Sequence, residues 1–199
     1  MKNSKGFIHS FYNGSCLDGP GLRSVVFLAG CNLTCPYCHN IDVCIEQGSQ
    51  MTAGEVYKKI SRYLPYIDGV TISGGEPLTQ PAFLYELLKL LKVKKINTAV
   101  ETNGTIINHK IFKMTDLLIV DIKNQLLPLC TYAPIFSKYK NVTATNVLIK
   151  GVNDSQNKLR EINEFVAKYN INLKFLPFRK TEAQVKYEKL GLAFKYQDA

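Results

Sequence analysis

Short, near-continuous apolar runs recur along the chain, and each is followed, after a polar break, by residues at helical spacing. The run LRSVVFLAG (22–30) is rich in β-branched and aromatic residues and ends at glycine, which predicts a buried strand. GVTISGG (69–75), INTAVET (96–102), LLIVDI (117–122), NVTATNVLIK (141–150) and INLKFLP (171–177) predict five more. Between them, TAGEVYKKISRYL (52–64) opens on Thr52 with Glu55 three residues on, a capping-box start to a helix. PAFLYELLKLLK (81–92) places Pro81 at a first helical position. HKIFKMT (109–115) and EAQVKYEKL (182–190) read as shorter helices, and DSQNKLREINEFVAKYN (154–170) carries Leu159, Ile162, Phe165 and Val166 on one helical face. Strands apolar on both faces and separated by helices predict an α/β protein with a mostly parallel, helix-covered sheet. Six such units build either a doubly wound sheet or a curved, incomplete barrel, and periodicity leaves both open. No repeat or long linker divides the chain, so a single domain over 1–199 is expected.

Composition changes this picture little. At 46% hydrophobic residues the 199-residue chain is an ordinary globular protein. No apolar run reaches the roughly 20 residues of a membrane span. The start, MKNSKGFIHSFYNG, lacks the apolar core of a secretory signal, so a cytoplasmic location is expected, with no membrane partner. The net charge of +9 comes from scattered lysines, with only KVKK (92–95) clustered, and matches no nucleic-acid-binding module. A solvated lysine-rich surface explains it, as does docking of an acidic protein partner.

The polar residues are more informative. Each conspicuous cluster follows the C-terminal end of a predicted strand: the cysteine loop, SGGE (73–76), ETNG (101–104), DIK (121–123), KGVND (150–154) and LPFRK (176–180). Parallel α/β folds place their chemistry at that rim, so six clusters converge on one site. Six cysteines without an export signal point to metal or redox chemistry before disulfides. Cys31, Cys35 and Cys38 lie on one short loop, CNLTCPYCHN (31–40). Structural zinc wants four ligands, and only His39 or Cys44 stands near enough to be the fourth. Thiol–disulfide exchange leaves the third cysteine without a role. A cubane iron–sulfur cluster on three thiolates leaves one iron open to bind a substrate. Cys16, Cys44 and Cys130 are too few and too spread for a second cluster and read as buried structural cysteines.

The C-x3-C-x2-C spacing is that of the radical S-adenosylmethionine (SAM) superfamily. With LDGPGLR (17–23), GCNLTCPYCHN (30–40), TISGGEPL (71–78), ETNG, DIK and LPF (176–178) in order, the chain resembles the glycyl-radical-enzyme activating enzymes over residues 6–178. The resemblance implies a radical SAM core, an incomplete (β/α)6 barrel with a mostly parallel curved sheet and no ferredoxin-like insert. It implies that Cys31, Cys35 and Cys38 hold a [4Fe–4S] cluster. SAM then chelates the open iron and is cleaved reductively to a 5′-deoxyadenosyl radical, which takes a hydrogen atom from a glycine of a partner glycyl radical enzyme. The alternatives are a small molecule or peptide natural product as substrate, or a non-catalytic protein with the cysteine loop as a zinc staple.

The resemblance also assigns roles. Tyr37 is placed near the adenine and His39 beside SAM, each with a packing or loop-shaping reading beside it. Gly74 and Gly75 let backbone approach a ligand closely, and Glu76 either meets the SAM ammonium or holds its loop. Glu101, Thr102 and Asp121 offer hard oxygens to a monovalent cation, with hydrogen bonding at the strand ends as the plain reading. Lys123 is expected to pair with the SAM carboxylate, and Asp18, in DGPG, to bind the target's glycine loop. Two positions depart from the pattern: Arg179, expected to bind the SAM carboxylate bidentately, stands where relatives carry a SAM-contacting histidine, and Asn146 where they carry arginine. Flavodoxin or ferredoxin is the expected electron donor, and few residues follow the sixth strand to cover the site.

Overall fold

The computed structural model describes residues 4–194 apart from residue 125. Its eight strands are β1 (Lys5–Ser15), β2 (Arg23–Leu28), β3 (Ser49–Thr52), β4 (Gly69–Gly74), β5 (Thr98–Thr102), β6 (Leu117–Asp121), β7 (Val142–Leu148) and β8 (Asn172–Pro177). They form one sheet in the order β3-β1-β2-β4-β5-β6-β7-β8. From β2 to β8 every pairing is parallel, while β1 runs antiparallel to both β2 and β3. The register aligns Leu28 with Gly74, Thr102 with Val120, Asp121 with Thr145 and Leu148 with Pro177, so the strands end together and their loops share one rim.

The helices are α1 (Ile41–Ile45), α2 (Ala53–Ser61), α3 (Pro81–Val93), α4 (His109–Met114), α5 (Ala133–Phe136), α6 (Gln156–Ala167) and α7 (Lys180–Lys189). Thr52 and Glu55 make the expected capping box at the start of α2. In α3, Leu84, Leu87, Leu88 and Leu91 are all at 0% exposure against the sheet. Burial of each stabilises the fold by about 1.5–3 kcal/mol. Ile162 and Val166 do the same for α6. Among the described residues no helix is long and apolar enough to cross a membrane.

The sheet is curved, as its contacts require. Three strands separate β2 from β7 in the sheet, yet Tyr37, in the loop after β2, packs with Val147 and Ile149 at the end of β7, and with Leu176 and Phe178 around the end of β8. A flat sheet would hold these groups far apart. The structure is thus a partial (β/α) barrel with the cysteine loop lying across its mouth.

Two features differ from expectation. Strands β1 and β3 flank the parallel set as an antiparallel edge, and the start of β1 alternates between buried (Gly6, Ile8) and exposed (Lys5, Phe7). Cys16 and Cys130 are exposed rather than buried, and Cys44 is half-buried beside the cysteine loop.

Candidate active site

The cysteine loop is fixed from below by the glycines of SGGE. The Gly75 N–H donates to Leu28 O (3.0 Å) and the Glu76 N–H to Gly30 O (2.9 Å). A Cβ on Gly74 would stand 2.1 Å from Leu28 O, and one on Gly75 2.1 Å from Gly30 O. Both glycines therefore let two backbones touch, and Gly74 also takes a φ of 135° that other residues resist. Glu76 is at 0% exposure. Its Oε1 accepts from Leu78 N (3.0 Å) and Thr102 Oγ1 (2.9 Å), and its Oε2 from Asn103 N (2.7 Å). Of the two roles open to Glu76, these bonds are those of a loop holder. Asn103 extends the bracket, donating to Asn32 Oδ1 (2.9 Å).

Inside the mouth, Lys123 pairs with Asp121 Oδ2 and lies 5.9 Å from the centre of the Tyr37 ring. Burial alone would lower the Lys123 pKa, but the charge and hydrogen bond of Asp121 outweigh it and raise the value, so the ammonium keeps its proton. Its charge reaches all three loop cysteines. A hydrogen bond from Cys44, against the cost of burial, brings the Cys31 thiol down to about 6, and Cys38 is lowered in the same way. Burial pushes Cys35 up to about 11. Both shifts run toward the thiolate, the form that binds metal. Cys44, hydrogen-bonded to Cys31 and Cys38, is strongly raised and stays a thiol. The sequence gives Cys44 only its nearness to the loop, and the short helix α1 is what turns it back.

Other candidates lie around this centre. His39 stacks on Phe178 at 4.9 Å, and its Nε2 accepts from the Arg179 N–H at 2.9 Å. Burial lowers its pKa, which keeps that nitrogen free to accept. The Arg179 guanidinium turns to Glu182 (3.2 Å), with more than half of each side chain exposed. Asp18 accepts from the Ser15 hydroxyl, and its carbonyl accepts from Thr71 Oγ1 at 2.6 Å. Thr71 Oγ1 in turn accepts from Arg23 Nε at 2.7 Å. Arg23 is almost fully buried and also donates to Pro20 O, Val70 O and Asn97 Oδ1, which fixes the DGPG turn against the sheet. Burial, then the nearby Asp18, pushes Glu101 up to about 7. Asn146, at 0% exposure, donates to Ile122 O and Asn124 Oδ1 and accepts from Asn153, tying the DIK loop to the end of β7.

Among the described residues no group of three or more His, Cys, Asp or Glu is arranged to hold a metal ion. Of the expected cation ligands Glu101, Thr102 and Asp121, the Thr102 hydroxyl is already engaged with Glu76. A cubane binds its thiolates through separate irons, so the cysteines need not crowd one point as they would around zinc. The residues fit a cluster with a polar ligand beside it. Three thiols share the loop with a buried ammonium in reach, and Asp121 Oδ1 is buried with no hydrogen-bond partner, an acceptor that calls for a donor from a ligand.

A partial (β/α) barrel with a three-cysteine loop across its mouth defines an iron–sulfur protein of the radical SAM class. The family described as "4Fe-4S single cluster domain" matches residues 17–173. Pyruvate formate-lyase-activating enzyme of Clostridium pasteurianum is 37% identical, with 97% of this chain and 90% of the relative covered. The enzyme of that name from Staphylococcus epidermidis is 32% identical over 98% and 89%. The chain belongs to this family of glycyl-radical-enzyme activating enzymes. Solved structures similar in fold include Streptococcus suis SuiB bound to its precursor peptide SuiA (TM-score 0.66, 18% identity, 87% of this chain and 42% of that one). Another is QueE from Escherichia coli (TM-score 0.56, 14% identity, 86% and 94%).

Proposed function

We propose that this protein is a SAM-dependent activase that installs a glycyl radical on a partner enzyme, with pyruvate formate-lyase, named by its relatives, as the first candidate. Cys31, Cys35 and Cys38 would hold the [4Fe–4S] cluster. When bound, it would supply the electron for reductive cleavage of SAM and so the radical chemistry that removes a hydrogen atom from the target glycine. The observation that carries this reading is the convergence of the three-cysteine loop with the half-buried Asp121–Lys123 pair at the mouth of the barrel.

The chain's own residues divide the remaining work. Lys123 binds the SAM carboxylate, since a buried ammonium is a strong partner for it. The unpartnered Asp121 Oδ1 accepts from a SAM donor. Tyr37, in its apolar cluster, packs near the adenine and keeps water from the cluster. His39 holds the backbone of Arg179 and so the far wall of the mouth. Asp18, fixed through Thr71 and Arg23, faces the glycine loop of the target. The identity to named activating enzymes supports a protein target over a small molecule. Likeness to SuiB is one of fold alone.

Residues 1–199 then act as one radical SAM domain, in the cytoplasm of a cell growing without oxygen, with flavodoxin or ferredoxin as electron donor. The test is anaerobic reconstitution with iron and sulfide, followed by reduction, addition of SAM, and measurement of the EPR spectrum and 5′-deoxyadenosine. The expected result is a reduced-cluster signal altered by SAM, with SAM cleavage lost in Cys35→Ala. Zinc in place of a cluster would overturn the proposal.

A further inference from the structure

Cys44 is not needed to complete a three-ligand cluster, yet the fold sets it against the ligands. The turn of α1 is closed by the Cys44 N–H on Asn40 O at 3.1 Å, and it brings the Cys44 sulfur to 3.6 Å from Cys38 Sγ. This is not a free surface thiol. Val43 beside it is 3% exposed, and Lys186 of α7 holds Asp42 on the same turn at 3.0 Å. On the proposed function, Cys38 ligates iron as a thiolate and has no proton to give. Cys44 is then the only one of the two sulfurs able to donate. A hydrogen bond into a ligating sulfur draws electron density from the iron and favours the reduced cluster.

We propose that Cys44 is a positioning residue that donates its thiol hydrogen to the Cys38 sulfur and thereby raises the reduction potential of the cluster. Its neighbour Cys38 does the binding, while Cys44 sets how readily the bound cluster takes an electron.

The experiment compares the full-length wild type with Cys44→Ser and Cys44→Ala, each reconstituted anaerobically without SAM or target. Iron and sulfide are counted, and the potential is read by EPR-monitored redox titration. All three are expected to carry the same iron. Cys44→Ala shifts to a more negative potential, and Cys44→Ser keeps most of the wild-type value, because a hydroxyl also donates. Equal potentials in the three proteins would overturn the inference, as would equal shifts in the two variants. Loss of iron in both variants would overturn it too, by making Cys44 a ligand. A wild type that assembles no cluster would instead overturn the proposed function, and this inference with it.

Discussion

Thr102 donates its hydroxyl hydrogen to Glu76 Oε1 across 2.9 Å, joining the loops after β4 and β5 through a carboxylate that water does not reach. The backbone N–H of Glu76 holds Gly30, so the same residue also braces the cysteine loop. Three of the six rim segments therefore share one anchor.

Glu76→Gln turns one acceptor oxygen into a donor. Whichever way the amide lies, its NH2 faces the N–H of either Leu78 or Asn103. Such an unsatisfied buried group costs about 1–3 kcal/mol. The urea midpoint of the cluster-free protein should fall accordingly, and an unchanged midpoint would contradict the bracket.

Glu101 makes stability depend on pH. Burial first, then Asp18, raises its folded pKa to about 7 from the ordinary 4.5, so the folded protein holds that proton more tightly than the unfolded chain does. Its contribution is full below pH 4.5 and is lost as pH rises to about 7. The loss is on the order of 1–3 kcal/mol, because Glu101 is partly reached by water. Denaturation series at several pH values should show this slope in the wild type and a shallower one in Glu101→Gln, where the buried Glu76, its pKa likewise raised to about 7 by desolvation, still contributes.

Removal of Lys123 strands a charge. Lys123→Met leaves Asp121 in a mostly buried site with its cation gone, which should destabilise the fold by about 2–4 kcal/mol. Adding Asp121→Asn should recover part of that, and a double-mutant cycle measures the coupling. Strictly additive effects would show that the pair does not interact.

The last helix should control how firmly the cluster is held. The Tyr187 hydroxyl donates to Cys35 O at 3.2 Å, and Lys186 donates to Asn40 and Asp42, each at 3.0 Å. Together Tyr187→Phe and Lys186→Ala should speed iron loss to a chelator by about 3–10-fold. Wild-type release kinetics in the double variant would remove α7 from this role.

Arg179→Ala should change SAM affinity by less than about threefold, because the guanidinium is engaged in an exposed pair with Glu182, and such pairs are worth about 0–1 kcal/mol. Equilibrium binding to the reconstituted protein measures it. A larger loss would mean that the side chain turns into the mouth when SAM binds.

The parallel strands and most of the helices are legible in the chain because their residues are buried on both faces or along one stripe. Val70 and Ile72 in β4, or Leu84 and Leu88 in α3, are positions where local pattern and tertiary burial agree. Strand β1 escapes that reading. Its outer face is exposed at Phe7 and Tyr12, and a half-buried antiparallel strand shows only weak alternation. The loop cysteines and the DIK pair are legible from spacing. The bracket made by Glu76, Thr102 and Asn103 is not, since all three of its bonds join residues distant in sequence or close a loop that sequence cannot orient. Cys44 is hidden for a similar reason. Its spacing from Cys38 says nothing until α1 is known to turn there.

The mouth of the barrel is closed by partners far apart in sequence: Tyr187 meets Cys35, Lys186 meets Asn40, and Arg179 meets His39, at separations of 152, 146 and 140 residues. A ribosome that has delivered the cysteine loop has therefore delivered only the floor of its pocket. The cover arrives only about 140–150 residues later, at the slow end of contact formation. Cofactor loading in this protein is thus tied to synthesis of α7, and a chain cut short before that helix would offer its thiols to iron, or to oxidants, without the means to keep either at a distance.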